Sequence, residues 1–353
     1  MVKRLLKQVV GIDVAQKELV VSLGNMDEDA TTAIYAYKVF ANNEKGFMAL
    51  ILWVKKQTIE TAPLRYVMEA TGVYHESLAY CLCNKTYSVS IVMPNKITNF
   101  FRTLEIKTIT DKSMSEAIAM FGLEKRLDDW IPPKKVFREL RQITRERDQL
   151  VAERTMQKNQ LHSEQVEAYP SEQTIRRIKD RIKMVNGQLK EIMAEIVVTI
   201  KSGTELSQTI KLITTVPGIG VLTAAIILAE TNGFELIRSQ KQLASYAGFD
   251  VKEKESGTSI KGKPRISKKG NKHLRKAMHM PALSAIRHAE RYKTIFARIV
   301  ARSGIKMKAT VAVQRKLLEM VYTIYKTQKP FDIDYFGNQA KKKQEIEMVE
   351  VCL

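Results

Sequence analysis

The chain is 353 residues long, enough for two or three domains that each bury a core. It is 44% hydrophobic and 27% charged, and no run approaches the roughly 20 apolar residues of a membrane-spanning helix, so a soluble globular protein with no membrane partner is expected. Lys and Arg number 58 against 38 acids, a net charge of +20 that points to a polyanionic partner, most simply nucleic acid.

The N-terminus, MVKRLLKQVVGID, lacks the long apolar stretch and small-residue cleavage site of a signal peptide, and a cytoplasmic location is expected. Val9–Asp13 and Leu19–Leu23 are short apolar runs, and Thr32–Phe40 has period-2 patterning; together they predict three successive strands. Asn43–Gln57 has helical spacing behind a polar start. Arg65–Glu69 predicts a short strand and Tyr74–Lys85, after the Gly72 break, a helix. Cys81 and Cys83 lie in that helix, and with Cys352 they supply neither a disulfide framework nor a zinc site. Ser88–Met93 predicts a strand stopped by Pro94, with helical patterns at Asn95–Leu104 and from about Asp111 to Lys125. Residues 1–130 thus predict a mixed α/β sheet whose first strands run antiparallel.

Composition changes after Trp130-Ile131-Pro132-Pro133, and residues 131–204 predict a helical arm. Its first helix, about Val136–Ala168, has a weak basic stripe and ends at Tyr169-Pro170-Ser171. In the second, Ile175, Ile178, Ile182, Val185, Leu189, Ile192 and Ile196 follow the 3-4 spacing of a coiled-coil seam. A structural linker and a dimerisation surface account for that spacing equally well.

Residues 205–330 predict a mostly α domain. Leu212–Leu228 places VPGIG between two helical patterns, a helix-hairpin-helix element. There Gly218 and Gly220 either let backbone amides approach a phosphate or permit tight packing. A helix is predicted at Lys241–Gly248 and a Gly/Ser/Lys-rich loop at Asp250–Lys263. Lys261–Lys276 holds eight basic residues and no acid. A run of one sign favours phosphate binding over a solvated face, with Lys261, Lys263, Arg265, Lys268, Lys269, Lys272 and Arg275 as contacts. Residues 331–353 read as a polar tail.

Three acids share a placement. Asp13 ends the first strand, Glu69 ends the fourth inside EATGVY, and Asp111 opens a helix inside KTITDKS. The first and fourth strands of such a sheet can be neighbours, which would cluster these carboxylates at one edge. Hard oxygen donors suit Mg²⁺, and two such ions support phosphoryl transfer. Each acid alone is also accounted for as an ordinary solvated strand-end residue.

With GID at 11–13, EATGVY at 69–74, TD at 110–111 and the series VPGIG…SG…ISKKGN…LR, the chain resembles the DEDD-type transposases of bacterial insertion sequences over roughly residues 8 to 325. The resemblance implies a RuvC-like, RNase H-fold catalytic domain (1–130), a coiled-coil arm (131–204) and a C-terminal domain (205–330) with a catalytic serine. It implies Mg²⁺-dependent strand exchange between donor and target DNA, guided by a non-coding bridge RNA, through a serine–DNA intermediate. It further implies a homo-oligomer, a dimer that becomes a tetramer on DNA, whose active sites are shared between protomers.

Carried over by position, the resemblance assigns Asp13, Glu69 and Asp111 as catalytic metal ligands and Ser256, in KESGTS, as the nucleophile, with Ser259 as second choice. The family's fourth acid falls three residues after the third, where this chain has Met114. Glu116, followed by Ala117, is the substitute ligand or else a solvated helix acid. Five residues turn an ideal helix by about 500°, some 140° off the face of Asp111. Glu116 therefore serves only if the helix starts after Asp111 or its side chain reaches around. Two other functions compete: a structure-selective nuclease, which needs the acids but no serine, and a catalytically silent nucleic-acid-binding protein, which Met114 favours.

Overall fold

The structure is a computed structural model. It describes residues 3–332 except 71, 105–107, 236, 254, 257–259 and 263–264, and only the backbone of 255, 256, 260 and 261. The chain divides into two compact units, Met1–Pro132 and Pro133–Leu353. No described helix is long and apolar enough to cross a membrane.

The first unit runs β1 (Leu5–Val14), β2 (Glu18–Asp27), β3 (Thr32–Ala41), α1 (Glu44–Gln57), β4 (Leu64–Glu69), α2 (Glu76–Asn84), β5 (Ser88–Val92), α3 (Pro94–Phe101) and α4 (Asp111–Glu124). The sheet order is β3-β2-β1-β4-β5. β1, β2 and β3 pair antiparallel through tight connections, whereas β4 and β5 add in parallel after helical crossovers. This mixed sheet fits the RNase H-like α/β fold, and β1 and β4 are neighbours as expected. Alternation along β1 sends Val10 and Ile12 to one face, where they pack with Phe47 and Leu50 of α1 and Leu78 and Leu82 of α2. Val9 and Val67 point to the other face, against Ile118 and Ala119 of α4. Pro94, expected only to stop β5, opens α3 at its first position, where a missing N–H costs nothing.

The second unit begins with two long helices, α5 (Lys135–Val166) and α6 (Glu172–Lys201). It continues with α7 (Thr204–Ile213), α8 (Val221–Thr231), α9 (Gln240–Ala247), the two-residue strands β6 (Val251–Lys252), β7 (Glu255–Ser256), β8 (Ile260–Lys261) and β9 (Arg265–Ile266), then α10 (Lys272–Ala277), α11 (His279–His288), α12 (Glu290–Ser303) and α13 (Lys306–Thr327). The apolar seam of α6 is already used within the chain. Val185, Leu189, Ile192 and Ile196 share one buried cluster with Leu140, Ile143 and Leu150 of α5. From Val185 to Ile196 the stripe is spent within the chain, whereas Ile175 and Ile182, nearer the start of α6, are half-buried. The same cluster takes in α7, α8 and α13, so the base of the helical arm and the C-terminal helices share a core.

Candidate active site

Asp13 and Glu69 each lie one step past the paired residues Ile12 and Met68, so the parallel register sets the two carboxylates side by side. Asp13 shares the face of Val9 and Gly11, and Glu69 that of Val67; α4 covers this face.

The seating of α4 is specific. A Cβ on Gly11 would lie 2.3 Å from the Ala119 nitrogen and 2.4 Å from the Ser115 oxygen, so only hydrogen fits where the helix crosses β1. Beside that crossing, the buried hydroxyls of Ser22 and Ser115 meet at 2.7 Å. At the far end, Gly122 lets Val9 and Val67 approach the helix. The helix start is equally fixed. Thr110 Oγ1 accepts from the Ser113 amide at 3.1 Å and Ser113 Oγ accepts from the Thr110 amide at 2.8 Å, a reciprocal cap. Asp111 is the first helical residue, so this seating carries it toward the strand ends.

Burial and a neighbouring acid raise two of the carboxyls. Burial pushes the Asp13 carboxyl above its ordinary 3.8, and the Asp111 charge adds to the rise against a hydrogen bond from the Val14 backbone. Burial also pushes Glu69 above its ordinary 4.5, with the Asp13 charge adding. The Asp111 charge thus bears on Asp13 from the helix, and the Asp13 charge bears on Glu69 across the sheet. Among the described residues, no three His, Cys, Asp or Glu side chains converge closely enough to hold a metal. The donor set nevertheless fits a hard divalent cation in kind: carboxylate oxygens alone, partly dehydrated and mutually repelling.

Glu116 stands apart. The helix starts at Asp111, not after it, so the rotation places Glu116 off the face of Asp111. Its Oε1 lies 3.9 Å from Lys112 Nζ, and its charge is not among those that raise Asp13 or Glu69. Lys112 also sits over the exposed Tyr37 ring, 5.1 Å from its centroid. Met114, at the position of the absent fourth acid, packs with the hydrophobic cluster beneath α4.

The other candidates belong to the second unit. Ser256 lies in β7, paired with Ile260 of β8, and this ladder is nested in sequence within the β6–β9 ladder. Lys263 and Ser259 fall outside the described residues, as do the side chains of Ser256 and Lys261. Arg265, Lys268, Lys269 and Lys272 are exposed. Arg275 turns inward instead, donating to the Ala247 carbonyl at 2.8 Å. Gly218 serves packing: a Cβ there would lie 2.5 Å from the Pro281 oxygen of α11. Gly220, at the N-cap of α8, faces open space.

Sequence patterning missed the seating of α4, although a glycine inside a strand signals close backbone approach. It also missed the buried Glu230 and its partners Arg145 and Asn271, which lie 85 and 41 residues away.

A family model described as Transposase IS116/IS110/IS902 family matches residues 210–297, and a second, described as Transposase, matches residues 10–170. The pilin gene-inverting protein of Moraxella bovis is 32% identical over 298 residues, 83% of this chain and 89% of its own length. Its Moraxella lacunata counterpart matches to the same extent. An uncharacterized 43.6 kDa protein of insertion element IS110 from Streptomyces coelicolor is 29% identical over 128 residues, covering 35% of this chain and 31% of that protein. Among solved structures, T. thermophilus RuvC in complex with a Holliday junction substrate aligns with a TM-score of 0.27 at 9% identity, covering 35% of this chain and 99% of that one.

Proposed function

The chain belongs to the IS116/IS110/IS902 family of transposases, and from that premise we propose that it exchanges DNA strands of an insertion element with the carboxylates of Asp13, Glu69 and Asp111 as its metal site. The observation that carries the reading is the coupled carboxylate row, set by neighbouring strands and a helix start whose seating leaves it little freedom. Asp13 and Glu69 would hold a divalent cation such as Mg²⁺ from the sheet, and Asp111 from α4. When bound, the metal supplies a Lewis acid for a phosphate oxygen and relieves the repulsion among the three acids. Three acids suffice in this reading; Glu116 remains paired with Lys112.

The nucleophile in this proposal is Ser256. Its Oγ attacks a phosphodiester, an Oγ–P bond forms, one strand's P–O bond breaks, and the departing oxygen takes up a proton. Rejoining reverses the same exchange on a second strand end. Relatives named for inverting a pilin gene favour rejoining over simple cutting. The net charge of +20 and the exposed Arg265, Lys268, Lys269 and Lys272 support phosphate binding by donor and target DNA and by a guiding RNA. Joining two DNA sites calls for more than one copy of the chain, and a homo-oligomer is part of the proposal.

The test is to purify the protein with its bound RNA and supply Mg²⁺ and plasmids bearing element ends. Recombinant junctions are expected from wild type, while Asp13→Asn and Glu69→Gln bind DNA and yield none. Cutting without a covalent protein–DNA adduct would establish a structure-selective nuclease instead. Binding with neither cutting nor joining would leave a silent nucleic-acid-binding protein.

A further inference from the structure

Glu230 is 2% exposed and lies in the last turn of α8, where the helix's carbonyl end disfavours negative charge. Such a charge persists only when paired and hydrogen-bonded. Arg145 of α5 grips both oxygens, Nε to Oε1 at 2.8 Å and Nη2 to Oε2 at 2.9 Å. Asn271 Nδ2 donates to Oε2 at 2.7 Å. Burial pushes the Glu230 carboxyl up, but these hydrogen bonds and the Arg145 charge outweigh it and hold the group below its ordinary range.

Asn271, together with Tyr246, leads from Glu230 toward the segment that carries Ser256. With its amide nitrogen committed to Glu230, Asn271 aims Oδ1 at the amides of His273 and Leu274, 2.9 and 3.1 Å away, and so caps α10. The Tyr246 hydroxyl donates to the Glu230 carbonyl at 2.8 Å, and the Tyr246 carbonyl accepts the Asn271 N–H at 2.8 Å. Close by, Ser267 Oγ bonds Asp250 Oδ1 at 2.6 Å and its amide donates to the Asp250 carbonyl at 2.8 Å. Gly270 threads this turn with a virtual Cβ 2.5 Å from the Tyr246 oxygen. The entry to the β6–β9 and β7–β8 ladders, at Tyr246–Asp250, and their exit, at Ser267–Asn271, are therefore tied together over one buried carboxylate.

We propose that Glu230 is a positioning residue: held by Arg145, it fixes the Asn271 amide and thereby aims the nested ladders that bear Ser256. The consequence for chemistry rests on reading Ser256 as the nucleophile; the clamp itself does not. What the role requires at position 230 is a hydrogen-bond acceptor, not a charge. This separates it from a stabilising ion pair.

Two double variants of the full chain make the test. Arg145→Met with Glu230→Gln removes both charges and keeps the acceptor; Arg145→Met with Glu230→Leu removes the acceptor as well. Neither leaves a buried charge without its partner. In the leucine pair, amide hydrogen exchange at Val251, Lys252, Arg265, Ile266 and Asn271 should quicken by about tenfold or more over the glutamine pair. The single-turnover rate of DNA–protein adduct formation at saturating DNA should fall on the order of a hundredfold in the leucine pair, as for a misplaced reacting group. DNA affinity, set by exposed cations, should stay within about threefold in both. Equal exchange and adduct rates in the two pairs would overturn the proposal, as would an adduct loss that only tracks the folded fraction. An active wild type that forms no adduct would overturn the Ser256 reading, and the exchange comparison would still decide the clamp.

Discussion

Gly11→Ala adds one methyl group at the point where β1 and α4 touch. Gly11 does not have a positive φ, so the backbone accepts alanine and the space does not. The new Cβ would stand 2.3 Å from the Ala119 nitrogen and 2.4 Å from the Ser115 oxygen, where ordinary contact begins at 3.4 Å. Both are backbone atoms of a helix and cannot rotate aside, so α4 must retreat by about 1 Å. Overpacking of this kind costs about 1–3 kcal/mol. The same retreat stretches the 2.7 Å Ser22–Ser115 hydrogen bond past its useful range, adding about 1 kcal/mol. A total of about 3 kcal/mol lowers the melting point of a unit this size by about 10 °C. Both tryptophans, Trp53 and Trp130, belong to the first unit, so tryptophan fluorescence follows its unfolding selectively. Metal-dependent strand cleavage should fall on the order of a hundredfold, because Asp111 moves with the helix. If no close approach existed, alanine would stabilise slightly by restricting the unfolded chain. An unchanged or raised melting point would therefore refute the proposed seating of α4.

Three further outcomes are expected. In metal-free protein, Asp13→Asn and Glu69→Gln should raise stability at pH 7. Folded carboxyls held above their ordinary 3.8 and 4.5 favour the fold below those values and lose that contribution as pH rises; urea titrations should show the gain vanish near pH 3, and a gain that persists there would reject the linkage. Replacing Lys269 and Lys272 by Gln should reduce the slope of log affinity against log salt by roughly 0.9 per lost phosphate contact; an unchanged slope would mark them as solvated surface. Mixing Ser256→Ala with Asp13→Asn should restore partial recombination if one protomer supplies the serine and another the acids, and no recovery from two folded, DNA-binding variants would reject that sharing.

The sheet was legible because its strands announce themselves locally: apolar runs for β1 and β2, alternation for β3, and short runs before breaks for β4 and β5. Their order allowed Asp13 and Glu69 to be neighbours, and the parallel pairing of β1 with β4 makes them so. The four two-residue strands between Val251 and Ile266 were not legible, because two residues are too few to show a period. The α6 seam was visible as a stripe, yet its partner was not. The facing stripe of α5 is interrupted by Arg and Glu, and patterning cannot say whether a seam meets its own chain or another. Met114 was visible as a departure from the family pattern; its packing beneath α4 was not. Glu230 is the single charged residue in VLTAAIILAET, and only long-range folding brings Arg145 and Asn271 to it.

The two buried carboxylate sites receive opposite treatment, and the difference separates their roles. Glu230 accepts from Arg145 twice and from Asn271 once, and its carboxyl is held down. A cation arriving there would find the oxygens occupied by donors. Asp13 and Glu69 are pushed up by burial and by neighbouring acids, with one backbone hydrogen bond opposing the rise at Asp13. Burial without matching donors is unfavourable in the isolated protein, and a divalent cation is the species that reverses its sign. Around these acids the reciprocal Thr110–Ser113 cap, the Ser22–Ser115 bond and the Gly11 crossing restrict relaxation that would let the carboxylates spread into water. A rigid frame around repelling oxygens is what the proposed metal site requires, and a satisfied carboxylate between three elements is what the proposed clamp requires.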